Sequence, residues 1–297
     1  MARGSQRIRS TAERSISNFM PSHFSLAHSL RVVLAMGWAD FRMKYRGSVL
    51  GVLWSLIYPL VKYAVILHIF RRMVTDIPHY SLYLFLGLLL WEHFAMTSTA
   101  CINMLQEKAA IIQKVRFPRL LLILSVGWTH VLILCGYLVI LFLIMGCLGA
   151  EIGLGVLYLP VIITEATLLS LGIGMLLSAF SLKFRDIPYL WSIVLQVLFW
   201  LTPIFYAFRP VRPLAQDFVH LFSGSLSLSV WSLFDHFIRF QPLSILLFDA
   251  RRALLPAASV GVPSVTHTLA FLLLCAVIFL LGVAVFRWRS RYFLQEY

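Results

Sequence analysis

Three charged side chains stand alone in otherwise apolar stretches: Lys62, Glu92 and Glu165. A charge in hydrocarbon is costly, so each is expected to face protein or water. Lys62 and Glu92 can pair as a structural ion pair or stand as polar contacts for a ligand. His68, His93 and His130 have no carboxylate or cysteine at ligand spacing, so they read as core or interfacial hydrogen-bonding groups rather than metal ligands. Cys101, Cys135, Cys147 and Cys275 are scattered without metal or pairing spacing and read as small apolar fillers. The sequence has no Gly-rich phosphate loop, H-E-x-x-H, C-x-x-C or G-x-S-x-G motif. No catalytic residue and no metal ligand set is therefore expected.

Aromatic residues make up 14% of the chain. Tyr58, Phe85, Trp91, Phe94, Trp191, Phe199, Trp200, Phe205 and Tyr206 fall in strongly apolar segments. Aromatic rings stack on the apolar C–H faces of sugars, and weak repeated contacts let a polymer slide without being trapped. The same rings also gather at membrane interfaces or pack against lipid. Tyr58, Trp91 and Trp200 are the leading candidates to line a path.

The elements that must position these residues follow from composition. Of 297 residues, 60% are hydrophobic and only 12% are charged. Soluble chains run at about 45–50% apolar and about 25% charged. A soluble protein of this length could not bury so much apolar surface, and disorder is excluded on the same ground. An all-α integral membrane protein is expected. A helical span needs about 20 mostly apolar residues. Six segments qualify: about 52–70, 80–101, 120–149, 153–182, 188–208 and 264–286. Before them, residues 1–24 read as a flexible cytoplasmic tail. Residues 25–46 form a basic amphipathic helix, with Arg31, Arg42, Lys44 and Arg46 as its interface cations. Residues 291–297 form a cytoplasmic C-terminus.

The net charge of +13 would suggest nucleic acid in a soluble protein. With the N-terminus placed inside, 17 of the 25 Lys and Arg residues fall on inner segments and 7 on outer ones, with Lys62 inside a span. That bias follows the positive-inside rule with both termini cytoplasmic. Residues 209–263 are too apolar for a plain outer loop and too broken at Ser223-Gly224-Ser225 for two more spans. A re-entrant outer segment over 212–255, between spans five and six, is expected, since such backbone is tolerated when packed on protein.

Four segments carry a family resemblance. Residues 38–60 contain Lys-Tyr-Arg-Gly-Ser-Val-Leu-Gly-Val-Leu-Trp followed by Pro59. Residues 105–124 contain Ile-Ile-Gln-Lys-Val-Arg-Phe-Pro. Residues 183–206 contain Phe-Arg-Asp and then Thr-Pro-Ile-Phe-Tyr, and residues 241–252 contain Gln-Pro-Leu and a closing Arg. In order and spacing these resemble the membrane subunits of type 2 ABC exporters that move lipid-linked polysaccharides of O-antigen, capsule or teichoic-acid type. Gln241 stands where that family usually has asparagine, and Ile123 stands near its usual second proline.

The resemblance implies a single transmembrane domain over residues 25–290, working as a homodimer with two copies of a separate ABC ATPase subunit. ATP and magnesium would be bound by that partner, with no cofactor in this chain and no enzymatic activity of its own. It places ATPase coupling at Glu107, Lys108, Lys114, Arg116, Phe117 and Pro118, where a short charged helix ending in Phe-Pro can act as a lever. Arg185 and Asp186, beside Lys183, are the second contact. Tyr58, Lys62, Trp91, Glu92, Trp200 and Tyr206 are the candidate translocation path. The cytoplasmic (inner) membrane of a bacterium is the implied location. The rivals are a type 2 exporter of lipids or drugs, an intramembrane glycosyl- or acyltransferase, and a membrane scaffold.

Overall fold

The computed structural model describes residues 26–48, 51, 53–72, 74, 77–107, 118–150, 153–181, 183–206, 237–238, 240–255 and 263–290. Among them the chain is helical. The α-helices are α1 (Leu26–Tyr45), α2 (Leu53–Phe70), α3 (Tyr80–Glu107), α4 (Arg119–Cys147), α5 (Leu159–Ser181), α6 (Ile187–Leu201), α7 (Pro242–Leu254) and α8 (Val265–Ser290). A 3₁₀ turn, Leu154–Tyr158, leads into α5.

Among the described residues, five segments are long and apolar enough to cross a membrane: α2, α3, α4, the 3₁₀ turn with α5, and α8. The fifth expected span is shorter than the sequence suggests. Helix α6 has 15 residues, about 22 Å at ~1.5 Å per residue. Thr202 leaves the helix with extended backbone, as a residue preceding a proline must, and Pro203 cannot continue the ladder. The expected span at 188–208 thus ends early. Span two is longer than expected and runs to Glu107, because no proline or glycine interrupts it after Gly87 and Ile102 and Met104 remain buried.

Helix α3 is the hub. Every residue from Leu82 to Phe94 is buried. That stretch is apolar on all sides, which suits a helix enclosed by others. Helices α2, α4, α5, α6 and α7 pack on it. Helix α8 packs on α5 at a crossing of two glycines: a Cβ on Gly172 would lie 2.8 Å from the Phe279 nitrogen, and one on Gly282 would lie 2.5 Å from the Gly172 oxygen. Small residues at such crossings let membrane helices approach closely. Helix α1 lies against α4, where a Cβ on Gly37 would come within 2.7 Å of the Trp128 ring. The Thr129 hydroxyl donates to the Gly37 carbonyl at 3.0 Å across that contact.

Of the expected re-entrant segment, residues 212–236 and 239 lie outside the described residues, as do the tails 1–25 and 291–297. Its described part is α7. Pro242 opens that helix, where a missing N–H costs nothing. Leu243, Leu246, Leu247, Ala250, Ala253 and Leu254 recur at helical spacing and are buried against α3, α5 and the 3₁₀ turn.

Candidate translocation and coupling sites

Helices α2 and α3 bring the two lone charges together. Lys62 Nζ lies 2.9 Å from Glu92 Oε1. Glu92 is buried and Lys62 is partly exposed. The Lys62 ammonium also sits 4.1 Å from the centre of the Phe199 ring on α6. A buried carboxylate thus has its counter-ion, and the counter-ion has an aromatic face, an arrangement favourable for a desolvated cation. Three helices meet at this point.

Around it the rings form a continuous run. Trp91 packs edge-on to Phe199 at 5.5 Å, Phe199 to Trp200 at 5.5 Å, Trp200 to Phe205 at 5.3 Å and Phe205 to Tyr206 at 5.2 Å. Trp91, Trp200 and Tyr206 therefore belong to one cluster with the ion pair. Their exposure differs. Trp91 is 4% exposed and sits in the core, whereas Trp200 is 62% exposed. Tyr206 is partly buried, and its hydroxyl donates to the Leu201 carbonyl at 2.7 Å. Tyr58 is 66% exposed, one turn before Lys62 on the same side of α2. Surface-facing rings beside a partly open ion pair can offer stacking and hydroxyl contacts to a passing chain.

The break after α6 is held by Arg251, Tyr80 and Tyr83, which the sequence did not single out, and by Gln241, which it did. Arg251 is buried, and its guanidinium donates to the carbonyls of Pro203 at 2.7 Å and Ile204 at 2.8 Å. It stacks 3.5 Å from the centre of the Tyr83 ring. The Tyr80 hydroxyl donates to Phe205 O at 2.7 Å, and the Tyr83 hydroxyl to Tyr206 O at 3.1 Å. Gln241, in the family's asparagine position, approaches Thr202 Oγ1 at 3.3 Å and Ser244 Oγ at 2.7 Å through Nε2. Non-helical backbone at membrane depth needs such internal partners. The sequence signal was available: two adjacent arginines, Arg251 and Arg252, inside an apolar amphipathic run.

The other lone acid, Glu165, is buried on α5 and packs near α7 and α8. His93 and His130 are buried too. His93 Nε2 lies 3.5 Å from Thr167 Oγ1, and His130 Nδ1 lies 3.0 Å from the Val126 carbonyl. His68 is exposed on α2. Cys101 and Cys275 are buried, and Cys135 and Cys147 are exposed. Among the described residues no group of three or more His, Cys, Asp or Glu could hold a metal ion.

At the coupling end, Lys108, Lys114, Arg116 and Phe117 lie outside the described residues. Glu107 is exposed at the last residue of α3, and Pro118 is exposed just ahead of α4, with extended backbone at φ −63°, ψ 108°. Arg185 and Asp186 are exposed in the turn between α5 and α6. Gly174 packs on Cys101, and Trp191 Nε1 donates to Ser98 Oγ at 3.0 Å. Those contacts place the α5–α6 turn at the same end of the bundle as the end of α3. On α1, Arg31, Arg42, Lys44 and Arg46 are exposed, and the Arg42 guanidinium lies 5.4 Å from the centre of the Trp38 ring.

Residues 31–225 match the family model described as ABC-2 type transporter. An O-antigen export system permease protein RfbA from Klebsiella pneumoniae is 30% identical over 187 residues, covering 62% of this chain and 72% of that protein. A protein of the same name from Myxococcus xanthus is 27% identical over 186 residues, covering 61% of this chain and 70% of that protein. The matched region takes in most of α1 and all of α2 through α6, with the ion pair and the whole aromatic run, so the chain is a multi-pass bacterial membrane protein that belongs to the ABC-2 type transporter family.

Proposed function

We propose that this chain is the membrane subunit of an ATP-driven exporter that moves a lipid-linked polysaccharide across the inner membrane. The observation that carries this reading is the likeness to O-antigen export permeases, together with a family match over the residues that hold the aromatic run and the Lys62–Glu92 pair. Two copies form the channel, because one six-helix chain is too small to enclose a polymer. Two copies of a separate ATPase chain bind on the cytoplasmic side and hold the ATP and magnesium. Helices α2 to α6 and α8 are the six spans, with α6 completed by the Thr202–Tyr206 break. Helix α1 lies in the inner interface, and α7 belongs to a re-entrant outer segment. Both termini are cytoplasmic.

In operation, ATP binding draws the ATPase subunits together. The 105–118 lever, with Arg185 and Asp186 as a second contact, passes that motion to the spans. Tyr58, Trp200 and Tyr206 offer rings to the sugars beside Lys62 and Glu92. The test is co-expression with a candidate ATPase, with ATP turnover measured in the presence and absence of this chain. Stable co-purification, altered turnover and glycan export lost on deletion are expected. An ATPase that neither binds the chain nor responds to it, with export intact after deletion, would overturn the reading.

A further inference from the structure

We propose that Glu165, Asp249 and His267 form a proton-binding site whose occupancy seats α7 against α5 and α8. Glu165 on α5 and Asp249 on α7 are both 0% exposed. Neither Glu165 carboxyl oxygen has a hydrogen-bond partner. Glu165 and Asp249 lie within electrostatic reach of each other. His267, in the first turn of α8, places Nδ1 3.2 Å from Asp249 Oδ2. Its side chain is 49% exposed, so it gives the buried pair an outlet to water.

A charge count of the surroundings forces proton uptake. Among the described residues, the nearby cations are otherwise engaged or distant. Arg251 is spent on the Pro203 and Ile204 carbonyls, and Lys62 is spent on Glu92. Arg252, on α7 itself, acts on Asp249 through its field. From the 3₁₀ turn, the Tyr158 hydroxyl donates to Thr268 Oγ1 at 2.6 Å and faces both acids. From α8, Cys275 faces Glu165, and from α3, His93 meets Thr167 rather than either acid. His267 and Arg252 both act on Asp249, whereas Glu165 has no hydrogen-bond partner and faces only the negative field of Asp249. Glu165 must then carry a proton, because a bare carboxylate in this setting is too costly.

The sign follows. Burial pushes the Asp249 carboxyl above its usual range, with His267 and Arg252 opposing. As pH rises, Glu165 gives up the proton it holds. Two buried negative charges then repel, so the seating of α7 is present at low pH and lost as pH rises. Because α7 carries Arg251, unseating it releases the carbonyls of the break after α6. The inference concerns the packing of this chain and stands whatever the cargo.

The full chain in lipid nanodiscs tests it. Infrared difference spectra should show a protonated-carboxyl band that disappears as pH rises, with a parallel fall in the thermal midpoint. Glu165→Gln, which mimics the protonated acid, should abolish most of that band and flatten the midpoint at high pH. If Glu165→Gln does not accumulate, Asp249→Asn together with the wild-type band decides. A wild-type chain with no such band, or variants that keep the wild-type pH slope, would overturn the proposal.

Discussion

The Lys62–Glu92 contact sets a direct expectation for substitution. Removing one partner of a buried pair leaves an uncompensated charge, at a cost of about 3–5 kcal/mol, whereas replacing both by apolar groups can be close to neutral. Lys62→Met should therefore lower the thermal midpoint in membranes more than Lys62→Met with Glu92→Leu does. If the pair also touches the cargo, the double variant regains stability but not export; equal recovery of both would reduce the pair to a structural tie. The two tryptophans part company on exposure. Trp91→Ala truncates a ring packed between Phe94 and Phe199 and should cost about 3–5 kcal/mol of packing, read as lowered membrane level. Trp200→Ala should keep the protein level and lower export, measured as surface glycan. The ion pair was legible because one cation and one anion stand alone in neighbouring spans. The Asp249–His267 contact was not, because Asp249 falls in the expected re-entrant segment and His267 at the start of the last expected span, with no spacing that ties the two together, and only the fold shows Asp249 buried.

At the scale of elements, close crossings decide the assembly of the bundle. Gly172→Val would push a side chain into the α8 backbone, so a marked loss of folded protein is expected by fluorescence-detected chromatography. Gly146→Val, near the end of α4 with nothing within 4 Å, should be tolerated. The α6 break supplies a second case. Arg251→Met keeps length and apolar bulk but strips two carbonyls of their donor, which should lower the midpoint by several degrees, and Arg251→Lys should restore only part of it because one ammonium cannot match the planar fork on the Tyr83 ring. Helix existence was plain from apolar runs, since hydrocarbon thickness fixes their length. The end of α6 was less plain. Thr202-Pro203 lies inside an apolar run, and hydropathy alone does not register that proline ends the ladder while polar side chains of α3 and α7 take over its carbonyls. Coupling between α7 and the aromatic run passes through those same carbonyls, and no periodicity in the sequence carries it.

For the whole molecule, orientation and partner binding rest on where the cations sit. On the proposed topology, the bias of Lys and Arg toward one set of connections puts Glu107, Pro118, Arg185 and Asp186 on the cytoplasmic side. The exposed residues among these share one end of the bundle, as a docking surface for a single soluble partner requires. A fluorescent protein that folds only in the cytoplasm, fused after Tyr297, should therefore glow, and alkaline phosphatase fused there should stay inactive; the reverse would invert the topology and move the coupling residues to the wrong side. Charge reversal then separates assembly from channel integrity. Lys114→Glu with Arg116→Glu leaves the spans untouched, so membrane level and self-association should hold. Co-purification with the ATPase should fall, and export with it, because the reversed charges oppose the docking proposed for this lever. The loss should deepen at low salt, where an exposed like-charge contact is screened less. Retained co-purification and export in that variant would assign the coupling elsewhere, with the exposed Arg185–Asp186 turn as the next surface to reverse.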